Sequence, residues 1–263
     1  MLELYHHSTS VCAAKVRLVL HEKQLEWKGN FVDILKGEQF DPAYLKLNPK
    51  AVVPTLIHDG KVIRESTVID EYLDEAFPAR PLRPDDAFGR AQMRLWTKLV
   101  DESLHICCAA ITFALFHRHT VLKMAPAEIE TYLQNTRDPV FRQRKRVWVH
   151  KGLEAPDVKD AIKFHDKLLT DMETALGESR WLCGDQYTLA DVSLTPYVNR
   201  LEMLGLAAMW RDRPRVTEWF ARIKARTNFQ PAVIEWIPPQ MASVMKANGS
   251  AQWPFFEQSL KAA

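Results

Sequence analysis

Apolar and polar positions alternate at the head of the chain, Leu2 and Leu4 against Glu3, so Leu2 to Tyr5 reads as a short strand. From Val11 to His21 apolar residues crowd every turn of a predicted helix, and a second strand is expected near Trp27 to Val32. Thr55 to His58 and Val62 to Ile63 are β-type runs flanking Asp59-Gly60, a dipeptide suited to a two-residue hairpin turn because both residues tolerate positive φ. An amphipathic run from Thr67 to Phe77 follows, with Ser66 expected to cap its start. The order is β-α-β, then β-β-α.

Pro78, Pro81 and Pro84, interleaved with Arg80, Arg83, Asp85 and Asp86, cannot continue that helix. The pattern therefore predicts a domain at 1–78, a linker at 79–86 and a second domain at 87–263. The second domain reads as helical throughout. Ala91 to His117 forms one long helix, and Ala161 to Leu176 and Val216 to Arg226 repeat the i, i+3, i+4 spacing of packed helices. The clearest helix start is Tyr187-Thr188-Leu189-Ala190-Asp191-Val192, where Thr188 caps, Asp191 reaches back and Tyr187 staples to Val192, a folding signal. The stretch 123–160 is an insertion between two helical regions. Its basic run Arg142, Arg144, Lys145, Arg146 and Lys151 encloses Val147, Trp148 and Val149, the pattern of a helix with one solvated face and not of a nucleic-acid patch.

Composition narrows the class. A content of 47% hydrophobic and 26% charged residues suits a soluble globular chain, and 263 residues suffice for two cores. A net charge of +2 gives no reason to expect a polyanionic partner. No run of eighteen apolar residues is present and the chain opens directly on a strand, which predicts a cytoplasmic protein with no membrane segment. The four cysteines Cys12, Cys107, Cys108 and Cys183 include no C-x-x-C pair, so they predict reduced thiols and no metal site.

Val52-Val53-Pro54-Thr55-Leu56 is the run that carries chemistry. A proline between two β-type segments cannot donate to a ladder and belongs at a turn or edge, with a cis Val53-Pro54 bond the economical reading. Such a turn leaves the N–H and C=O of Val53 facing outward, able to pair with an extended peptide as an added strand. The free N–H groups at the helix start near Ser66 suit a carboxylate, and Glu65 suits an ammonium. One short peptide carrying both an α-amino and an α-carboxyl group would satisfy both halves.

Taken in order, Asn48-Pro49, Val53-Pro54-Thr55-Leu56, Asp59-Gly60 and Glu65-Ser66 resemble the glutathione-binding signature of cytosolic glutathione transferases. The resemblance implies a thioredoxin-like α/β N-terminal domain, an all-α C-terminal domain, glutathione as co-substrate and a homodimer. It also implies that Val53 and Pro54 meet the cysteinyl backbone while Glu65 and Ser66 hold the γ-glutamyl end. The run from Ser10 to Arg17 resembles the serine-type motif of theta- and zeta-like members, which places the catalytic serine at Ser10, a residue equally suited to plain N-capping. Gln39 and Lys36 fall near the expected glycyl carboxylate, and Val52 stands where many relatives carry glutamine or lysine. Cys12 is the rival nucleophile, giving a thiol reductase like the omega-type members.

A thiol of pKa about 8.5 is only about 3% ionised at pH 7. Lowering it by about two units raises the thiolate fraction about twenty-five-fold, but the fall in nucleophilicity costs roughly eightfold, so the net gain is near threefold. Most acceleration must come from holding the thiolate against an electrophile. On that second substrate the stretches 58–78 and 82–102 and the 123–160 insertion resemble the glutathione-dependent β-etherases of lignin-degrading bacteria. Those enzymes carry a Gly-Ala-Asn-Ser type of loop, whereas this chain has Ser10-Val11-Cys12-Ala13. The expected reaction is thiolate attack on a hydrophobic aromatic electrophile, with β-aryl ether cleavage as one candidate. A reductase, an isomerase and a non-catalytic ligand carrier are the alternatives. Phe113, Leu115 and Phe116, with Trp253, Phe255 and Phe256 in the tail, are the candidate walls of an apolar pocket.

Overall fold

Four short strands, β1 (Leu2–His6), β2 (Trp27–Phe31), β3 (Thr55–His58) and β4 (Lys61–Arg64), form one mixed sheet in the order β2-β1-β3-β4 in a computed structural model that describes residues 1–261. The last two residues of the predicted helical range lie outside the described residues. β1 and β2 run parallel, a pairing that needs a crossover, and α1 (Val11–Glu22) supplies it. β3 pairs antiparallel with both β1 and β4, and Asp59 and Gly60 turn the hairpin at φ 48° and 79°. Two elements depart from the expected pattern. The helix α2 (Pro42–Leu47) is too short to show a periodicity. α3 (Ser66–Ala76) takes Glu65 as its N-cap, so Ser66 is its first helical residue and not the cap predicted for it. Glu65, at φ 67°, turns the chain sharply enough that its own carbonyl accepts the first helical bond, from Ile69 N at 2.8 Å.

The remaining helices are α4 (Ala87–Val121), α5 (Pro126–Gln134), α6 (Pro139–Lys151), α7 (Pro156–Ala175), α8 (Leu189–Met203), α9 (Pro214–Lys224), α10 (Pro239–Ser250) and α11 (Trp253–Lys261). α4 extends the predicted long helix at both ends and contains π-type turns at Val100–Leu104 and Phe113–His117. By length and composition it could cross a membrane, and 44% of its most apolar window is buried in the protein. The chain divides into two compact units. The first comprises Met1–Val100, Ala175–Pro196 and Glu218–Pro238, and the second the rest.

In the first unit α1 packs against α3, and it buries three cations that a pattern reading would leave in water. Lys15 Nζ donates to Thr67 Oγ1 at 2.9 Å, Lys23 pairs with Asp74 at 2.7 Å, and Arg17 is fully enclosed. The proline-rich stretch at 79–86 is bolted down: Lys23 Nζ donates to Arg80 O, Leu82 N donates to Asp74 Oδ1 at 2.8 Å, and Leu82 O accepts from Leu189 N at 2.7 Å. The predicted cap at Thr188 is present. Asp191 accepts from Thr188 N at 3.0 Å, and its second oxygen takes Leu182 N and Trp219 Nε1 at 3.1 and 2.8 Å. Burial nevertheless pushes the Asp191 carboxyl above its ordinary range, against the pull of these donors. Tyr187 sets its ring edge-on to Trp181 and under the Arg226 guanidinium, 4.0 Å away.

In the second unit the insertion folds as α5 and α6 around Val121, Leu133 and Val149, with Phe113, Met124, Ile129 and Tyr132 packed on them. Three residues of the basic run are spent internally. Arg146 forms a bidentate pair with Glu130, Arg142 donates to Thr136 O, and Lys145 lies 3.7 Å over the Tyr132 ring. The tail is anchored to the second unit at a few buried positions. Met245 and Phe256 are buried, Asn248 Nδ2 donates to Leu115 O at 3.1 Å, and α10 approaches the turn after α8 so closely that a Cβ on Gly249 would overlap Leu204 O. Of the expected pocket walls, Leu115 and Phe256 are therefore buried packing, while Phe113, Phe116, Trp253 and Phe255 are half-buried.

Candidate functional site

Strand register gathers the predicted residues at one end of the sheet. Tyr5 faces Thr55, Thr55 faces Arg64, and His6 faces Phe31. The chain therefore leaves β1 toward Ser10, enters β3 from Val53-Pro54, leaves β4 into Glu65-Ser66 and leaves β2 toward Lys36 and Gln39, all from the same edge. Residues spread over more than fifty positions of sequence share one rim.

Ser10 is the N-cap of α1, its Oγ accepting from Ala13 N at 3.1 Å, so the capping expectation holds. An N-cap oxygen at the positive end of a helix retains its hydroxyl proton, which can be donated to an anion lying there. Cys12 lies in the first turn of α1 and is half-buried. Cys107 and Cys183 are pushed up to about 12, by burial first, which keeps them protonated and unreactive at neutral pH.

The Val53-Pro54 bond is cis, and among the described residues no protein group bonds the N–H or C=O of Val53. The turn is held from behind by two buried side chains. Asn48 Nδ2 donates to Val52 O at 2.9 Å and to Thr55 Oγ1 at 3.1 Å, and Tyr44 Oη donates to Val52 O at 2.6 Å. With Val52 O doubly occupied, the free edge begins one residue later. Tyr44 was not singled out from sequence because the short α2 that carries it leaves no pattern. Opposite this edge the amides of Ser66 and Val68 point out of the first turn of α3 with no protein acceptor among the described residues.

Glu65 is exposed, and Lys50 Nζ lies 2.6 Å from its carboxylate. This ammonium occupies the kind of position expected for the amino group of a bound peptide, and sequence reading did not single it out. Gln39 Nε2 donates to Ile34 O at 3.2 Å and retains a second proton, while its buried Oε1 has no partner. Lys36 is exposed and pairs with Asp33 at 3.2 Å.

Residues 4–81 match the family model "Glutathione S-transferase, N-terminal domain", and residues 166–222 match "Glutathione S-transferase, C-terminal domain". Protein LigF of Sphingobium sp. is 34% identical over 242 residues, covering 89% of this chain and 92% of the relative. The crystal structure of beta-etherase LigF superposes with a TM-score of 0.80 at 33% identity, over 88% of this chain and 98% of that one. Glutathione S-transferase TCHQD of Arabidopsis thaliana is 26% identical, covering 88% of this chain and 89% of the relative.

Proposed function

The chain belongs to the glutathione S-transferase family, with glutathione as co-substrate, and from that premise we propose that it cleaves β-aryl ethers that carry an α-carbonyl group. Supporting the glutathione site is the shared rim: an unpaired Val53 backbone edge, outward amides at the start of α3 with Glu65 beside them, and a hydroxyl at the N-terminus of α1. Val53 pairs with the cysteinyl unit and Pro54 shapes that edge. Glu65 takes the γ-glutamyl ammonium, and Ser66 the adjoining carboxylate. The second Nε2 proton of Gln39 and the Lys36 ammonium serve the glycyl carboxylate. Ser10 donates to the thiolate, which favours ionisation.

Supporting the substrate is the likeness to beta-etherase LigF along most of both chains. The thiolate sulfur attacks the carbon bearing the aryloxy group, activated by the neighbouring carbonyl. The C–S bond forms as the C–O bond breaks, and the phenolate leaves and takes up the proton lost by the thiol. The products are one phenol and one glutathione thioether, with no change in redox state. The protein aligns the attack and excludes water.

The same reading extends to the whole protein as a cytoplasmic homodimer with a family boundary at 79–86. Val68 on α3 and Phe88 and Leu95 on α4 are exposed apolar residues, and an Arg94–Glu71 pair at 3.0 Å bridges those two helices. They suit a face covered by a second copy.

Incubation with glutathione and an α-aryloxy ketone is the test. Phenol and thioether should appear in equal amounts, and Ser10→Ala should slow their release far more than Cys12→Ala. Turnover of simple aryl halides without phenol release would reduce the claim to general transfer, and loss on Cys12→Ala alone would turn it toward disulfide reduction.

A further inference from the structure

The loop that delivers Ser10 is held from beneath by one buried guanidinium. Arg17, on the second turn of α1, is 0% exposed. Its Nη1 donates to His7 O at 3.3 Å, its Nη2 to Ser8 O at 3.3 Å, and its Nε to Ala232 O at 2.7 Å. The guanidinium carbon lies 5.1 Å over the ring of Trp236, whose own Nε1 is tied to Pro231 O at 2.8 Å. Nη1 also faces His6 Nδ1 at 3.4 Å, and because arginine can only donate, Nδ1 is the acceptor and the proton of His6 is on Nε2.

Every acceptor around this cation is neutral. Burial lowers Arg17 to about 9, which leaves it charged at neutral pH. Burial, with Arg17 and His7 beside it, lowers His6 to about 3, so the imidazole cannot become a competing cation under physiological conditions. Another titratable group in its field is His21, which burial and Arg17 lower against the pull of Glu235 and Glu22. Burying a guanidinium without a carboxylate is costly, and for shape alone an apolar side chain would serve as well. What the guanidinium does that an apolar residue cannot is fix two consecutive carbonyls of the loop ahead of Ser10 to a third, fixed carbonyl in the segment Gln230–Ile234.

We propose that Arg17 is the positioning residue of the catalytic loop: clamped between Ala232 and Trp236, it fixes the carbonyls of His7 and Ser8 and thereby the direction of the Ser10 hydroxyl toward bound thiolate. The proposal rests on the role assigned above to Ser10. It predicts that the segment 230–236, which carries none of the assigned glutathione contacts, governs thiol activation.

A double-mutant cycle tests it, read as the pKa of bound glutathione from thiolate absorbance together with the split between kcat and KM. Arg17→Gln should raise the bound-thiol pKa by about one unit and lower kcat about tenfold, with KM for glutathione within about twofold, since Val53, Glu65 and Ser66 are untouched. In a Ser10→Ala background the same substitution should add almost nothing. Arg17→Lys, which keeps the buried charge but not the fork of donors, should shift the thiol in the same direction and serves if Arg17→Gln does not fold. An unchanged bound-thiol pKa in a folded Arg17 variant, with Ser10→Ala still shifting it, overturns the clamp and leaves Ser10 in place. A full shift persisting in the Ser10→Ala background also overturns it, because the cation then acts on the thiolate directly. If Ser10→Ala shifts nothing, the assignment of Ser10 fails and the clamp fails with it.

Discussion

Glu65 combines an exposed carboxylate with a backbone at φ 67°, a conformation that costs a residue bearing a Cβ about 1–3 kcal/mol. These two properties can be separated by substitution. Glu65→Ala and Ser66→Ala should each weaken glutathione binding by about 1–3 kcal/mol in calorimetry, the usual loss for a charged hydrogen bond. Glu65→Gly should bind as poorly as Glu65→Ala yet be more resistant to urea by about 1 kcal/mol, because glycine accepts positive φ without strain. Lys50 gives a prediction of opposite sign. Its ion pair with Glu65 joins two exposed side chains, worth roughly 0.2–1 kcal/mol, and must open before a peptide ammonium can take its place. Lys50→Ala should therefore tighten glutathione binding by up to about fivefold at low salt, an advantage that fades as salt is raised. Equal or weaker affinity in the variant would mean that Lys50 assists the peptide and does not compete with it.

Single elements show where sequence is readable. The Asp59-Gly60 hairpin, the turn at Pro54 and the Thr188–Asp191 cap are each set by residues within a few positions of one another, and local chemistry found them. α1 is the opposite case. Lys15, Arg17 and Glu22, with Lys23 at the C-cap, are charges that a pattern reading would leave in water, but Arg17 bonds a carbonyl 215 residues away and Glu22 an arginine 204 residues away. No periodicity encodes a partner at that distance, so burial of charge was invisible where burial of leucine was not. The tail is legible only in part for a related reason, since aromatic residues at helical spacing do not tell a pocket wall from a core: Phe256 is buried, while Trp253 and Phe255 are half-buried. Gly249 makes the core reading testable. A Cβ there meets backbone and not a side chain that can swing away, so Gly249→Ala should lower stability by about 1–3 kcal/mol in chemical denaturation. Truncation after Ile237 would remove Met245 and Phe256 as well, so point substitutions at Trp253 and Phe255 are the cleaner way to ask whether the tail touches substrate.

Across the whole molecule, two of the buried histidines, His6 and His165, contribute to the response to acid. Burial pushes His6 down to about 3 and His165 down to about 4. His165 donates from Nδ1 to Ala161 O and buries an unpartnered Nε2, so a second proton there has no acceptor. Above about pH 6.5 both rings are neutral in the folded and unfolded chains and contribute no pH dependence. Below it the unfolded chain takes up protons that the folded one refuses, and each group lowers stability by up to about 1.4 kcal/mol per pH unit until its folded value is reached. Urea midpoints should thus fall steadily from pH 6.5 toward pH 4, and less steeply in His165→Gln. An unchanged slope in His165→Gln would show that this ring does not contribute.

Arg17 also has a consequence for how the chain comes off the ribosome. The sheet, its crossover helix and the whole glutathione rim are synthesised within the first third of translation, but the carbonyl and indole that enclose the guanidinium follow much later, at Ala232 and Trp236. Until then a charge lies where the core should close, and Glu22 and Leu82 likewise await Arg226 and Leu189. The nascent N-terminal portion should therefore stay incompletely closed for most of elongation, and stalled chains ending before residue 230 should be cut by protease within α1 while chains extended well past 236 resist.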